Sequence, residues 1–108
     1  MIAIHSQQAL EALIHQTPLL LAYFTGDTCA ACTAIQSQLE NLLADFPHIT
    51  AVQNDAPQQK ALCAAHSVFT VPTTLIFTQG KEALRLGRHL DLTDLRRQLN
   101  RYSELLAD

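Results

Sequence analysis

The sequence predicts an α/β domain with a central, mixed but mostly parallel sheet, a C-terminal β-hairpin and helices on both faces. Three observations predict it. Helix-period segments alternate with short apolar runs, the pattern of strand–helix–strand units. The run Leu19–Phe24 is apolar without a break, as a strand buried on both faces should be. Near the C-terminus, Gln79-Gly80-Lys81 separates two strand-like segments, which reads as a hairpin. The 108 residues suffice for one core, so a single domain over 1–108 is expected.

The elements follow in order. Met1–Ile4 is a short apolar stretch suited to an edge strand. Ser6 is a good N-cap for a helix from Gln7 to Gln16, whose Leu10, Leu13 and Ile14 share a face. Thr17-Pro18 ends it, because a residue before proline resists the α region. The strand Leu19–Phe24 is closed by Thr25-Gly26-Asp27. A helix from Cys29 to Asp45 is expected next, with Ile35, Leu39, Leu42 and Phe46 as its stripe and Thr28 favoured over Asp27 as its cap. Ile49–Asn54 reads as a strand. Pro57 suits the first turn of a third helix, Gln58–His66. Pro72 cannot donate to a ladder, so the next strand starts after it, at Thr73, and ends at Thr78. The hairpin partner is Glu82–Leu86, with Gly87 as a bulge or a point of close approach. A last helix, Leu92–Leu106, is capped by Asp91 and buries Leu95, Leu99 and Tyr102.

Composition narrows the function. Hydrophobic residues make up 48% and charged ones 16%, which is a folded rather than a disordered chain. The net charge is −3 and no Lys/Arg run occurs, so nucleic acid is not an expected partner. Leu19–Phe24 is too short to cross a membrane. Met1–Ser6 lacks Lys and Arg and does not read as a signal peptide, so a cytoplasmic location is expected. Three cysteines are too few for a disulfide-stapled secreted fold and a poor set for a four-ligand zinc site. The five histidines show no ligand spacing, so surface or cap roles are expected for them.

The chemistry centres on Thr28-Cys29-Ala30-Ala31-Cys32-Thr33. Thiols three residues apart at a helix start lie on one face. Free amides and the positive end of the helix dipole favour a thiolate at the first of them. The second is then close enough to attack a mixed disulfide formed at the first, which is dithiol–disulfide exchange. Cys63, among Ala61, Leu62, Ala64 and Ala65, reads instead as a small helix residue that is partly buried.

With these landmarks the chain resembles the thioredoxin superfamily over nearly its whole length. The resemblance rests on four features: the Cys29–Cys32 pair between a buried strand and a long helix, Val71-Pro72-Thr73 downstream, the turn Phe77–Lys81, and Gly87. It implies a thiol–disulfide oxidoreductase with a thioredoxin fold. Cys29 would be the nucleophile and Cys32 the resolving thiol. Pro72 would be cis, and Val71 would pair its backbone with the partner's chain. Thr28, Ala30 and Ala31 would border the partner. No cofactor beyond the dithiol is implied. The implied partners are a disulfide-containing protein or small thiol substrate and an external reductant of the thioredoxin-reductase or glutathione type.

The departures from the family pattern also carry expectations. Thr28 replaces a Trp, Ala30-Ala31 replaces Gly-Pro, Tyr23 replaces a buried Asp, and Gln53 falls near the Lys that accompanies it. Ala30-Ala31 adds no charge beside the thiols, which suggests a reducing to intermediate potential. Loss of the Asp implies altered proton transfer at Cys32, unless water or Tyr23 substitutes. Tyr23 itself reads as a strand residue, with a hydroxyl facing Cys32 as the alternative. A redox-idle binding module using the groove beside Pro72 is the competing reading. A metal or iron–sulfur cluster shared between two chains is a third.

Overall fold

The chain runs through β1 (Ile2–Ile4), α1 (Gln7–Gln16), β2 (Leu19–Thr25), α2 (Ala30–Leu43), β3 (Thr50–Asp55), a 3₁₀ turn (Ala56–Gln58), α3 (Lys60–Ala65), β4 (Thr73–Thr78), β5 (Lys81–Leu86) and α4 (Leu92–Leu105). This is a computed structural model describing residues 1–107; Asp108, the end of the expected domain, lies outside the described residues. The strands form one mixed sheet in the order β1-β3-β2-β4-β5. β1–β3 and β3–β2 pair in parallel, whereas β2–β4 and β4–β5 pair antiparallel.

β2 lies at the centre, which explains its unbroken apolar sequence. Leu20, Ala22 and Phe24 point to one face and join Leu10 and Ile14 of α1 and Leu62 of α3. Leu19, Leu21 and Tyr23 point to the other and join Ile35, Leu39 and Leu42 of α2 and Leu95 and Leu99 of α4. The two cores are separate clusters divided by the sheet.

Several boundaries follow the expected chemistry. Ser6 accepts from the Ala9 amide at 3.1 Å and Asp91 accepts from the Asp94 amide at 3.1 Å, so both caps are used. Gln79 and Gly80 both have positive φ (50° and 85°), which gives a two-residue hairpin turn, so Lys81 belongs to β5, which starts one residue before the expected Glu82.

Other boundaries differ. α2 ends at Leu43 rather than Asp45, because Asp45 and Phe46 bond to carbonyls three residues back and tighten the last turn. The third helix is split. Ala56 starts the 3₁₀ turn with Pro57 second in it, Gln59 leaves the helical region (φ −128°, ψ 52°), and α3 begins only at Lys60. It ends where Ser67 turns left-handed (φ 54°) and Val68 N–H reaches back to the Cys63 carbonyl at 2.8 Å. Gly87 lies beyond β5 and, its chain neighbours aside, no atom of the described residues comes within 4 Å of where its Cβ would be, so it is neither a bulge nor a close contact. The register shift of the hairpin falls at Ile76/Phe77 instead.

Candidate active site

β2 delivers the chain to one end of the sheet, where Gly26, Asp27 and Thr28 turn it into α2. Thr28 adopts φ 48° and so cannot cap a helix, which needs an extended residue. The cap is Cys29 itself (φ −120°, ψ 96°), and its Sγ accepts from the Cys32 amide at 3.1 Å. The expected caps, Thr28 and Asp27, are therefore replaced by the thiol. A donor aimed at this sulfur favours its negative form.

Cys29 and Cys32 are disulfide-bonded, with Cα atoms 5.2 Å apart. Cys29 is half-buried and Cys32 is 1% exposed. Ala30 is exposed and Ala31 half-buried between them. The pair thus presents one partly exposed cysteine and one hidden one.

β4 brings the second half of the site. Its register places Thr73 opposite Phe24, so the Val71–Pro72 loop flanks the end of β2. Val71 Cγ2 would lie 3.0 Å from a Cβ on Gly26, which is why glycine stands there. The Val71–Pro72 peptide is cis, and Thr73 Oγ1 donates to the Thr70 carbonyl at 2.7 Å, pinning this loop. Pro72 is buried and Val71 half-buried.

Two features of the site were not singled out from sequence. Phe69 is 79% exposed on the loop before Pro72. With Pro57, Lys60, Cys63, Val68 and Val71 it lines a cleft of about 380 Å³. An apolar residue outside any helical or strand period was the available signal for Phe69. Cys63 is buried on α3 as expected, and burial pushes its thiol up.

Beneath α2, Tyr23 is fully buried and its hydroxyl donates to the Cys32 carbonyl at 2.6 Å. Burial pushes the phenol up from its ordinary range. Gln53 pairs with Gln36 of α2 at 3.0 Å. His66 contacts Glu11 Oε1 at 2.6 Å, and His48 contacts Ser103 at 2.7 Å. Among the described residues no three His, Cys, Asp or Glu side chains are grouped as metal ligands would be.

Comparison with known proteins agrees with this geometry. The sequence profile of the Thioredoxin family matches residues 1–101. A thioredoxin-like protein of Bacillus subtilis, YdfQ, is 32% identical over 97% of this chain and 94% of its own length. The thioredoxin of Chlamydia pneumoniae is 26% identical over 95% of this chain and all of its own. Among solved structures, Fasciola hepatica thioredoxin superposes with a TM-score of 0.82 at 27% identity, covering 94% of this chain and 99% of that one. The Trypanosoma brucei brucei thioredoxin fold superposes over 100% of this chain and 92% of that one, with a TM-score of 0.84 at 22% identity. A half-buried thiol capping a helix, a hidden partner thiol one turn on and a matching family profile have one reading: the chain belongs to the thioredoxin family.

Proposed function

We propose that this protein reduces disulfides of protein substrates, with Cys29 as nucleophile and Cys32 as resolving thiol. Family membership and a Cys29–Cys32 pair at disulfide distance support thiol–disulfide oxidoreduction in general. The observation that carries the finer assignment is the asymmetry of the pair: Cys29 is half-buried and accepts an amide proton, whereas Cys32 is hidden.

The reaction has two steps. The Cys29 thiolate attacks one sulfur of the substrate disulfide, and the other leaves as a thiolate. Cys32 then loses its proton to solvent and attacks Cys29 Sγ. The Cys29–Cys32 bond forms, the mixed disulfide breaks, and the second substrate sulfur leaves as a thiolate. The substrate gains two electrons and the protein's dithiol loses them, while the two substrate thiolates take protons from solvent. An external reductant of the thioredoxin-reductase or glutathione type restores the dithiol. No cofactor besides the cysteines enters these steps.

A protein substrate is favoured over a small disulfide by what borders the thiols. Val71, half-buried beside the cis Pro72, would pair its backbone with an extended chain as the family resemblance implies, and exposed Phe69 suits an apolar side chain of that chain. Thr28, Ala30 and Ala31 complete the border without adding charge. Residues 1–108 act as one unit in this reading, and the reducing chemistry fits a cytoplasmic setting.

The test is trapping. Cys32→Ser should accumulate protein partners as mixed disulfides at Cys29, released by dithiothreitol. Cys29→Ser should reduce no disulfide. Undiminished reduction by Cys29→Ser would end the proposal.

A further inference from the structure

The face of the sheet beneath α2 carries a row of uncharged polar side chains in register. Gln53 on β3 pairs with Tyr23 on β2, and Tyr23 pairs with Thr74 on β4. All three sit on the face covered by the helix that bears the cysteines. Each meets that helix differently. Gln53 bonds the Gln36 side chain, one turn past Cys32. Thr74 Oγ1 is buried with no hydrogen-bond partner among the described residues. Only Tyr23 bonds the backbone of a cysteine, donating to the Cys32 carbonyl at 2.6 Å.

We propose that Tyr23 is the positioning residue of the resolving thiol: by donating to the Cys32 carbonyl it fixes the turn of α2 that must deliver Cys32 Sγ to Cys29 Sγ. This rests on the two-step exchange proposed above.

The geometry carries the argument. A carbonyl in the first turns of a helix already accepts one ladder amide, and its second lone pair is free for a further donor. The phenol takes it from below, where the ring is clamped by full burial. Tyr23 is itself held from the neighbouring strand, since Asn54 Nδ2 donates to its carbonyl at 3.1 Å. The chain of support therefore runs from β3 through β2 to the backbone of Cys32. Sulfur displacement requires the attacking thiolate to approach along a narrow line, so a loosened turn loses rate in that step. Attack by Cys29 on an external disulfide does not depend on this contact. The two steps are thus separable by one oxygen atom.

The experiment uses an aromatic disulfide that releases a coloured thiolate, dithiobis(nitrobenzoate), mixed rapidly with the reduced protein. Attack by Cys29 releases one coloured ion and resolution by Cys32 releases the second, giving two phases. Cys63→Ala in every protein compared removes the third thiol. Tyr23→Phe is expected to leave the first phase within about twofold and to slow the second about tenfold. Thr74→Val, which removes a hydroxyl that bonds nothing among the described residues, is expected to change neither phase. Equal slowing of both phases by Tyr23→Phe, no slowing of the second, or equal slowing of the second by Thr74→Val would each overturn the proposal. Absence of a second phase in the protein with Tyr23 intact would instead remove the two-step mechanism on which it rests.

If Tyr23→Phe does not fold, 3-fluorotyrosine keeps the ring in place and reports on its hydroxyl. In the dithiol form the Tyr23 fluorine resonance, distinguished from that of Tyr102 by Tyr102→Phe, should split into two lines in mixed light and heavy water, as a hydroxyl proton held on the Cys32 carbonyl requires. A single averaged line in that form would overturn the proposal without any turnover measurement.

Discussion

The amide of Cys32 points at the sulfur of Cys29, 3.1 Å away, and so caps α2 with a thiol where helices ordinarily use an oxygen. One atom serves both as structural cap and as proposed nucleophile. Serine keeps a capping atom at this position and alanine does not. In the reduced state, Cys29→Ser should therefore match the parent in urea unfolding, while Cys29→Ala should lose about 1 kcal/mol. Equal stability of the two variants would show that the sulfur contact does not support the helix.

Phe69 is exposed beside the Val71–Pro72 loop and makes the lip of the neighbouring cleft. Phe69→Ala should raise KM for a protein disulfide severalfold and leave the rate with a small aromatic disulfide unchanged. Its effect on stability should stay within about 0.5 kcal/mol, as for other surface changes. A parallel loss with both substrates would place Phe69 outside recognition.

Two buried protonated groups make stability fall at alkaline pH. Burial pushes Cys63 above its ordinary 9.0 and Tyr23 above its ordinary 10.0. In the unfolded chain both ionise near those ordinary values, while the folded protein keeps their protons. The folded state then binds more protons, so the free energy of unfolding declines as pH rises. Below about pH 8 neither group contributes any slope, because both are protonated in both states. For the oxidised protein, whose Cys29 and Cys32 do not titrate, thermal unfolding should worsen from about pH 9 upward. Cys63→Ala should remove the earlier part of that decline.

Arg85 closes a clasp over the end of α3. It donates to the Ser67 carbonyl at 3.0 Å and the His66 carbonyl at 2.6 Å, and forks onto Glu82 at 2.9 and 2.8 Å. Half of these bonds hold the turn that leads into Phe69. Because the guanidinium is partly exposed, Arg85→Ala should cost only about 1 kcal/mol. Lysine lacks the planar fork, so Arg85→Lys should recover little of it in the urea midpoint. Full recovery by lysine would reduce the clasp to simple charge.

What the sequence revealed depended on the range of the interaction. The bounds of α1 and β4 were legible because Ser6, Pro18 and Pro72 act on their immediate neighbours. The Cys29–Cys32 spacing was legible for the same reason. The sulfur cap was not, because capping preferences favour oxygen side chains and Thr28 and Asp27 offered two. The split before α3 was hidden because Pro57 is compatible with the start of a 3₁₀ turn or of an α-helix. The contact of Tyr23 with Cys32 was open in the sequence, since it depends on how α2 seats on β2. Phe69 gained its meaning only when the loop before β4 was placed beside Pro57 and Cys63.

The helix bearing the thiols is rooted in one core, with Tyr23, Ile35 and Leu39. The cleft beside Val71 is rooted in the other, with Leu62, Cys63 and Val68. Reactivity and choice of partner thus rest on foundations that the sheet keeps apart. A lineage can retune whom the protein meets by repacking α3, and leave the exchange chemistry as it was.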